Sequence, residues 1–314
     1  MSNIKHNRLR YQELDLNTLE KAYSPSSCID DIGVYIKQYI DLSDKAKKSA
    51  IEQGKLISNI QYGSNPDEVL DLFMPFKAAP QKRKLQVYIH GGYWQELSKD
   101  ESCFAATNFQ NSGYHFAVIN YSLAPKASLT EIVEQNRQAL IFLYQHADEY
   151  GYDKNEIYLS GSSAGGHLAM MMALTDWSKY IETEQNIVKG ICAVSGIYDL
   201  TPIAQTYINE PLQLTEKEIA NYSPLLFDTE KLSVPLREKE IIKHCAFIMA
   251  YGDTETSEFK CQTSAMIHHL TGQKIKVTQA EIAQRNHFNV ILDLADAESW
   301  LSQQIFQQMK RYLN

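Results

Sequence analysis

The sequence predicts an α/β protein: a mostly parallel sheet of eight strands with helices on both faces. Three observations predict it. From about residue 55 onward, strand-like and helix-like segments alternate, the pattern of a parallel sheet with crossover helices. The later strand-like runs are continuously apolar, as strands are when helices cover both sheet faces. The glycine-framed turn Gly161-Ser162-Ser163-Ala164-Gly165-Gly166 joins the apolar run Ile157-Tyr158-Leu159 to the helix-forming stretch His167 to Leu174.

Taken in order, residues 1–54 form an N-terminal helical segment. Leu14 and Leu19, then Ile32, Tyr35, Ile36, Tyr39 and Ile40, recur at helical spacing, and Lys45 to Gln53 continue as a charged helix. Residues 55–314 form the main domain. Lys55 to Tyr62 and Val69 to Met74 read as a hairpin turning through Gly63 to Pro66. Leu85 to Ile89 is the third strand and Phe116 to Asn120 the fourth. Ser128-Leu129-Thr130-Glu131 is a capping box that opens a helix running to Tyr150 and stopping at Gly151. Strands follow at Ile157 to Leu159, Gly190 to Val194, Ala246 to Ala250 and Lys274 to Thr278. Residues 199–243, which include Pro202, Pro211, Pro224 and Pro235, make a long helical excursion between the sixth and seventh strands. With the N-terminal segment it is expected to form a lid.

Composition narrows the function classes. A net charge of −8 gives a nucleic-acid role no electrostatic support. No stretch approaches the roughly eighteen uninterrupted apolar residues of a membrane span. Met1-Ser2-Asn3-Ile4-Lys5-His6 is polar, without the apolar core of a secretory signal. Cys28, Cys103, Cys192, Cys245 and Cys261 show neither metal nor redox spacing and read as small hydrophobes in a reducing compartment. The expected setting is the cytoplasm and the expected partner a small-molecule substrate. Neither nucleic acid nor membrane is expected, and a homo-oligomer is left open.

The chemistry concentrates where strands end, as ligands do in open α/β sheets. Ser163 alone has glycine two residues to either side, the pattern of a strained strand-to-helix turn that lifts a nucleophilic hydroxyl above the sheet. Such a turn places the hydroxyl at a helix N-terminus, whose N–H groups stabilise an oxyanion. His90-Gly91-Gly92-Tyr93-Trp94 follows the third strand, and its glycines let backbone N–H groups reach a charged oxygen. Tyr93 and Trp94 either line a substrate pocket or pack the loop.

A serine hydroxyl needs a base, and the base an orienting acid; in this kind of sheet the chain order is serine, acid, histidine. His287, in the loop after the last strand, is the expected base; His268 and His269 lie within the helical run Ser257 to Leu270. The expected acid is Glu255, three residues past Gly252, with Asp253 as the alternative. Asp199 is assigned to bonding loop amides. No histidine pair has zinc-like spacing and no phosphate loop occurs, so no cofactor and no metal are expected.

His90 to Trp94, together with Gly161 to Leu168, resembles the serine-dependent arylformamidases (kynurenine formamidases) of the α/β-hydrolase superfamily. Supporting matches include Leu70-Asp71-Leu72-Phe73, Thr175-Asp176-Trp177, Ser195 to Leu200, Ser223-Pro224-Leu225, Glu258-Phe259 with Gln262, and His287-Phe288, so the likeness runs from about residue 55 to the C-terminus. The animal enzymes usually carry aspartate where this chain has Glu255. The resemblance implies an α/β-hydrolase fold and hydrolysis of N-formylkynurenine to kynurenine and formate. By the same resemblance, Ser163 attacks, His287 moves the proton, Glu255 fixes the imidazole, and the N–H groups of Gly92, Tyr93 and Ala164 hold the oxyanion. Tyr93 and Trp94 would narrow the pocket to suit a formyl group. Two other readings share these residues: a carboxylesterase for short acyl esters, and a catalytically silent binding protein.

Overall fold

The structure, a computed structural model, describes residues 10–77, 83–183, 186–227 and 245–310. Of the expected lid, residues 1–9 and 228–243 lie outside the described residues. The described residues hold one eight-stranded sheet: β1 Leu56–Gln61, β2 Val69–Phe73, β3 Arg83–Ile89, β4 His115–Ile119, β5 Tyr152–Ser162, β6 Val188–Val194, β7 Ala246–Thr254 and β8 Val277–Asn286. Their order is β1-β2-β4-β3-β5-β6-β7-β8. β2 pairs antiparallel with both β1 and β4, and every other pairing is parallel.

That order places a reversal beside β3. The chain leaves β3 for β4 on one side, then crosses back over β3 to β5 on the other, so the loops after β3 and β5 diverge. A crevice at such a point is where open α/β sheets bind ligands. Ile89 at the end of β3 lies in register with Gly161 of β5, which sets the His90–Trp94 loop directly beside the Ser163 turn.

The crossover to β5 is the helix Leu129–Gln145, opened by the capping box in which the Ser128 and Glu131 side chains each serve the other's backbone N–H. Gly151 ends the following helical turn at φ 79°, a left-handed conformation that glycine adopts without steric cost. The sheet buries both faces. On one, Leu72, Val87, Leu159, Ile191 and Met249 pack against Leu140, Leu168 and Met266 of the covering helices. On the other, Phe73, Tyr88, Phe116, Cys192 and Ile248 meet Phe109, Tyr39 and Ile305. The helix Ala164–Ala173 is buried at every residue, and apart from His167 its sequence is accordingly apolar or small on all sides.

One stretch departs from expectation. The eighth strand starts at Val277, not Lys274. Lys274 turns at φ 65° and hydrogen-bonds back to Thr271, closing the helix Ser257–Gly272, and Ile275 packs into the core. β8 is an edge strand with alternating exposure, so it reads as polar. The N-terminal segment, with helices Leu16–Ala22 and Ile32–Glu52, is fastened onto the main domain. Tyr23 is fully buried, and its hydroxyl accepts from Gln262 Nε2 at 2.9 Å. Asn286 Nδ2 donates to the Tyr35 hydroxyl at 2.8 Å. No described helix is long and apolar enough to cross a membrane.

Candidate active site

The turn after β5 explains its own sequence. Ser163 sits at φ 58° and ψ −121°, well inside the half of backbone space that side chains avoid. A Cβ on Gly161 would lie 2.3 Å from the Gly165 carbonyl oxygen, and one on Gly165 only 2.1 Å from that of Ile89. Both glycines are therefore required by strand β3 and the helix pressing on each other. The Ser163 N–H is engaged by the Val194 carbonyl at 2.9 Å, which ties the turn to β6. Ala164 opens the buried helix, so its N–H has no intrahelical acceptor.

The loop after β3 closes against this turn. A Cβ on Gly91 would stand 2.7 Å from the Ser162 carbonyl oxygen, so only glycine lets the two backbones approach this closely. Gly92 has φ 92°, and its carbonyl accepts from both Gln95 and Glu96 at 2.9 Å. The N–H groups of Gly92 and Tyr93 are engaged by nothing among the described residues. His90 stacks flat on Tyr121, 4.1 Å between centroids, while the Tyr121 hydroxyl donates to the His90 carbonyl at 2.9 Å. Burial pushes the His90 imidazole down to about 4, so it supports the loop as a neutral ring.

The two aromatic residues of this loop part company. Tyr93 lines the cavity beside Ser163, its hydroxyl donating to the Tyr23 carbonyl of the N-terminal segment. Trp94 is fully buried and stands edge-on to His167 at 5.1 Å; it packs the loop and does not line the cavity. The reason is the positive φ of both residues, 51° and 62°, which turns the Trp94 side chain into the core.

His287 follows β8 directly and is almost buried, its ring 4.3 Å from that of Phe259. Its Nδ1 meets Glu255 Oε2 at 2.9 Å. The other carboxylate oxygen accepts from the Ser195 hydroxyl and from the Gly252 N–H, each at 2.6 Å. Burial raises the Glu255 carboxyl, but the His287 ring and these bonds outweigh it and hold the group below its ordinary value. Nδ1 being engaged, Nε2 is the nitrogen left for Ser163. Both side chains line one cavity of about 290 Å³, and no hydrogen bond joins them among the described residues.

The other carboxylates lie elsewhere. β7 continues through Thr254, which pairs with Asn286, so Asp253 remains in the sheet. Its carboxylate is exposed and accepts from the Arg285 N–H at 3.2 Å. Asp199 accepts from the Thr201 N–H at 2.8 Å. His268 and His269 sit on the helix Ser257–Gly272, away from the cavity. No group of three or more histidine, cysteine or acidic side chains able to hold a metal occurs among the described residues.

Sequence reasoning missed two supports. Ser195, fully buried at φ 48°, holds the carboxylate of Glu255. A hydroxyl closing the apolar run of β6 and followed by glycine is the available signal. Gln262 accepts from the N–H groups of Tyr198 and Asp199 and donates to the Tyr23 hydroxyl, tying the N-terminal segment to the loop after β6.

Comparison with known proteins points to the same class of enzyme. Residues 70–231, just over half the chain, match the BD-FAE family. A kynurenine formamidase of Salmo salar is 34% identical over 96% of this chain and 98% of its own. One from Danio rerio is 32% identical over 95% of each. An esterase from Pyrobaculum calidifontis shares the fold with a TM-score of 0.66 at 15% identity, covering 98% of both chains. Near-full-length similarity on both sides leaves no large segment of the relatives unmatched, and the elbow and glycine loop are the parts on which a serine-dependent hydrolase turns. The chain is therefore an α/β-hydrolase enzyme of the serine type and belongs to the kynurenine formamidase family.

Proposed function

We propose that the protein hydrolyses an aryl formamide, N-formylkynurenine, to kynurenine and formate. The observation that carries the reading is the Glu255–His287 hydrogen bond opening onto the cavity that holds Ser163. Glu255 keeps the proton on Nδ1, which leaves Nε2 as the basic nitrogen. Ser163 Oγ attacks the formyl carbon as Nε2 takes its proton. The oxyanion is received by the N–H groups of Gly92, Tyr93 and Ala164, each worth about 2.7–4 kcal/mol in sites of this kind. The imidazolium then protonates the anilide nitrogen, kynurenine leaves, and water releases formate by the same steps in reverse. An aryl formamide suits such a site because the ring withdraws the nitrogen lone pair and weakens the amide. The Ser163–His287 contact closes when substrate is bound, as catalytic hydrogen bonds often do.

The N-terminal segment and the excursion after β6 act as a cap. Ser24 and Tyr207 meet hydroxyl to hydroxyl at 2.8 Å, and both line the cavity. Cys103, Cys192 and Cys245 are buried as small hydrophobes, which suits the reducing cytoplasm.

The apolar share of the cavity wall, with Ile36, Phe104 and Ile291, favours a second reading, a carboxylesterase for short acyl esters. Formyl, acetyl and butyryl derivatives of one aryl amine and one phenol separate the two. The formamide reading expects kcat/KM to fall steeply from formyl to butyryl. Faster cleavage of butyryl than formyl overturns it.

A further inference from the structure

We propose that Tyr88 selects the substrate: its phenol donates a hydrogen bond to a carbonyl oxygen carried ortho to the formamide on the aryl ring. This deepens the formamide reading and rests on it. Tyr88 lies on β3, two residues before the glycine loop and in register with Ser160 of β5. It is 3% exposed, yet it lines the cavity that holds Ser163 and His287. Its hydroxyl makes no hydrogen bond among the described residues and is not among the polar atoms sealed from the cavity.

Three neighbouring hydroxyls behave differently. Tyr39 donates to the Phe288 carbonyl, Ser102 to that of Ser98, and Tyr93 to that of Tyr23. Each is satisfied internally and carries no demand for a ligand. With no protein acceptor among the described residues, this phenol is left to water or to whatever enters the cavity, and a ligand that displaces the water without offering an acceptor leaves it unpaired. The ring cannot swing away. Phe104 meets it edge-on at 5.3 Å, and Phe104 is itself stacked on Tyr39 at 5.5 Å. Burial raises the Tyr88 phenol well above its ordinary value, so it stays protonated and acts as a donor.

The surrounding wall defines the rest of the ligand. Tyr39, Leu97, Phe104, Phe288 and Ile291 border the cavity with Tyr88 and offer flat apolar contact suited to an aromatic ring. A ring seated there with an ortho carbonyl brings one acceptor oxygen with it; an unsubstituted ring brings none and leaves the phenol unpaired.

The test is the ratio of kcat/KM for 2-formamidoacetophenone to that for 2-isopropylformanilide, which has a similar shape but lacks the oxygen. In the wild type the carbonyl compound is expected to be preferred roughly tenfold beyond the ratio of the two compounds' alkaline hydrolysis rates, chiefly through KM. Tyr88→Phe is expected to bring the ratio down to the alkaline one, which reactivity alone sets. The wild-type ratio needs no variant, so a variant that fails to fold does not protect the proposal. A wild-type ratio no greater than the alkaline one overturns it, as does an unchanged ratio in Tyr88→Phe. If neither formamide is cleaved, the formamide reading falls. The pair made as aryl acetates then reads Tyr88 alone, with the same ratio expected and the same result overturning it.

Discussion

Replacing Glu255 by glutamine removes one charge and little volume. The side chain is sealed from solvent, and its Oε2 lies 2.9 Å from His287 Nδ1. On the proposed mechanism His287 becomes an imidazolium in the transition state, its charge centred about 4 Å from that of the carboxylate. At an effective dielectric constant near 20, two unit charges at that distance attract by about 4 kcal/mol. Losing this attraction predicts a fall in kcat/KM of about 10³-fold. A further loss follows because an amide can present its NH₂ to Nδ1 and favour the wrong tautomer. Ser195 and Gly252 can still donate to the amide oxygen, so the fold is expected to survive. Asp253→Asn is the internal control: that carboxylate is exposed and bonds only the edge of the sheet, and its loss should change kcat/KM less than about threefold. Steady-state hydrolysis of a chromogenic aryl ester measures both variants. Asp253→Asn losing more than Glu255→Gln would refute the assignment of the acid.

Two further results follow from the same geometry. Gly165→Ala should lower both melting temperature and activity, since the new methyl would stand 2.1 Å from the Ile89 carbonyl oxygen, a backbone atom that cannot step aside; thermal unfolding and the ester assay check this, and a variant indistinguishable from wild type would contradict the elbow packing. Stability should decline as pH falls from about 6.5 to 4, because burial lowers His90 and His167 to about 4 while the unfolded chain takes up those protons near 6.5. Each contributes on the order of 3 kcal/mol across that window. Glu255, held below its ordinary 4.5, adds a contribution that is present above that value and lost as pH falls through its lowered one. Melting temperatures at pH 7, 5.5 and 4 measure the slope, and His167→Gln, which can still donate to the Tyr222 carbonyl, should make it shallower.

The parts legible in the sequence were those set by local pattern. Alternating segments gave the sheet, and the glycines around Ser163 announced a turn whose steric need is local. What could not be read depends on contacts between distant strands. Asp253 and Glu255 are separated only by where β7 ends, and that is fixed by Thr254 pairing with Asn286 more than thirty residues later. Trp94 looked like a pocket residue because an aromatic next to a glycine loop carries no sign of which way it turns; two successive positive φ values decide that. The eighth strand reads as starting at Lys274, three residues early, because Ile275 and Val277 alternate as strand residues do, although the helix is still closing at Lys274. Tyr88 read as one more apolar strand position, since nothing local reveals whether a phenol finds an acceptor.

The most direct measurement of the central claim is the product analysis of N-formylkynurenine incubated with the purified protein and with Ser163→Ala. Mass spectrometry should find kynurenine and formate in equal amounts from the wild type and neither above background from the variant. Equal product from both proteins, or none from a wild type that still cleaves aryl esters, would contradict the account.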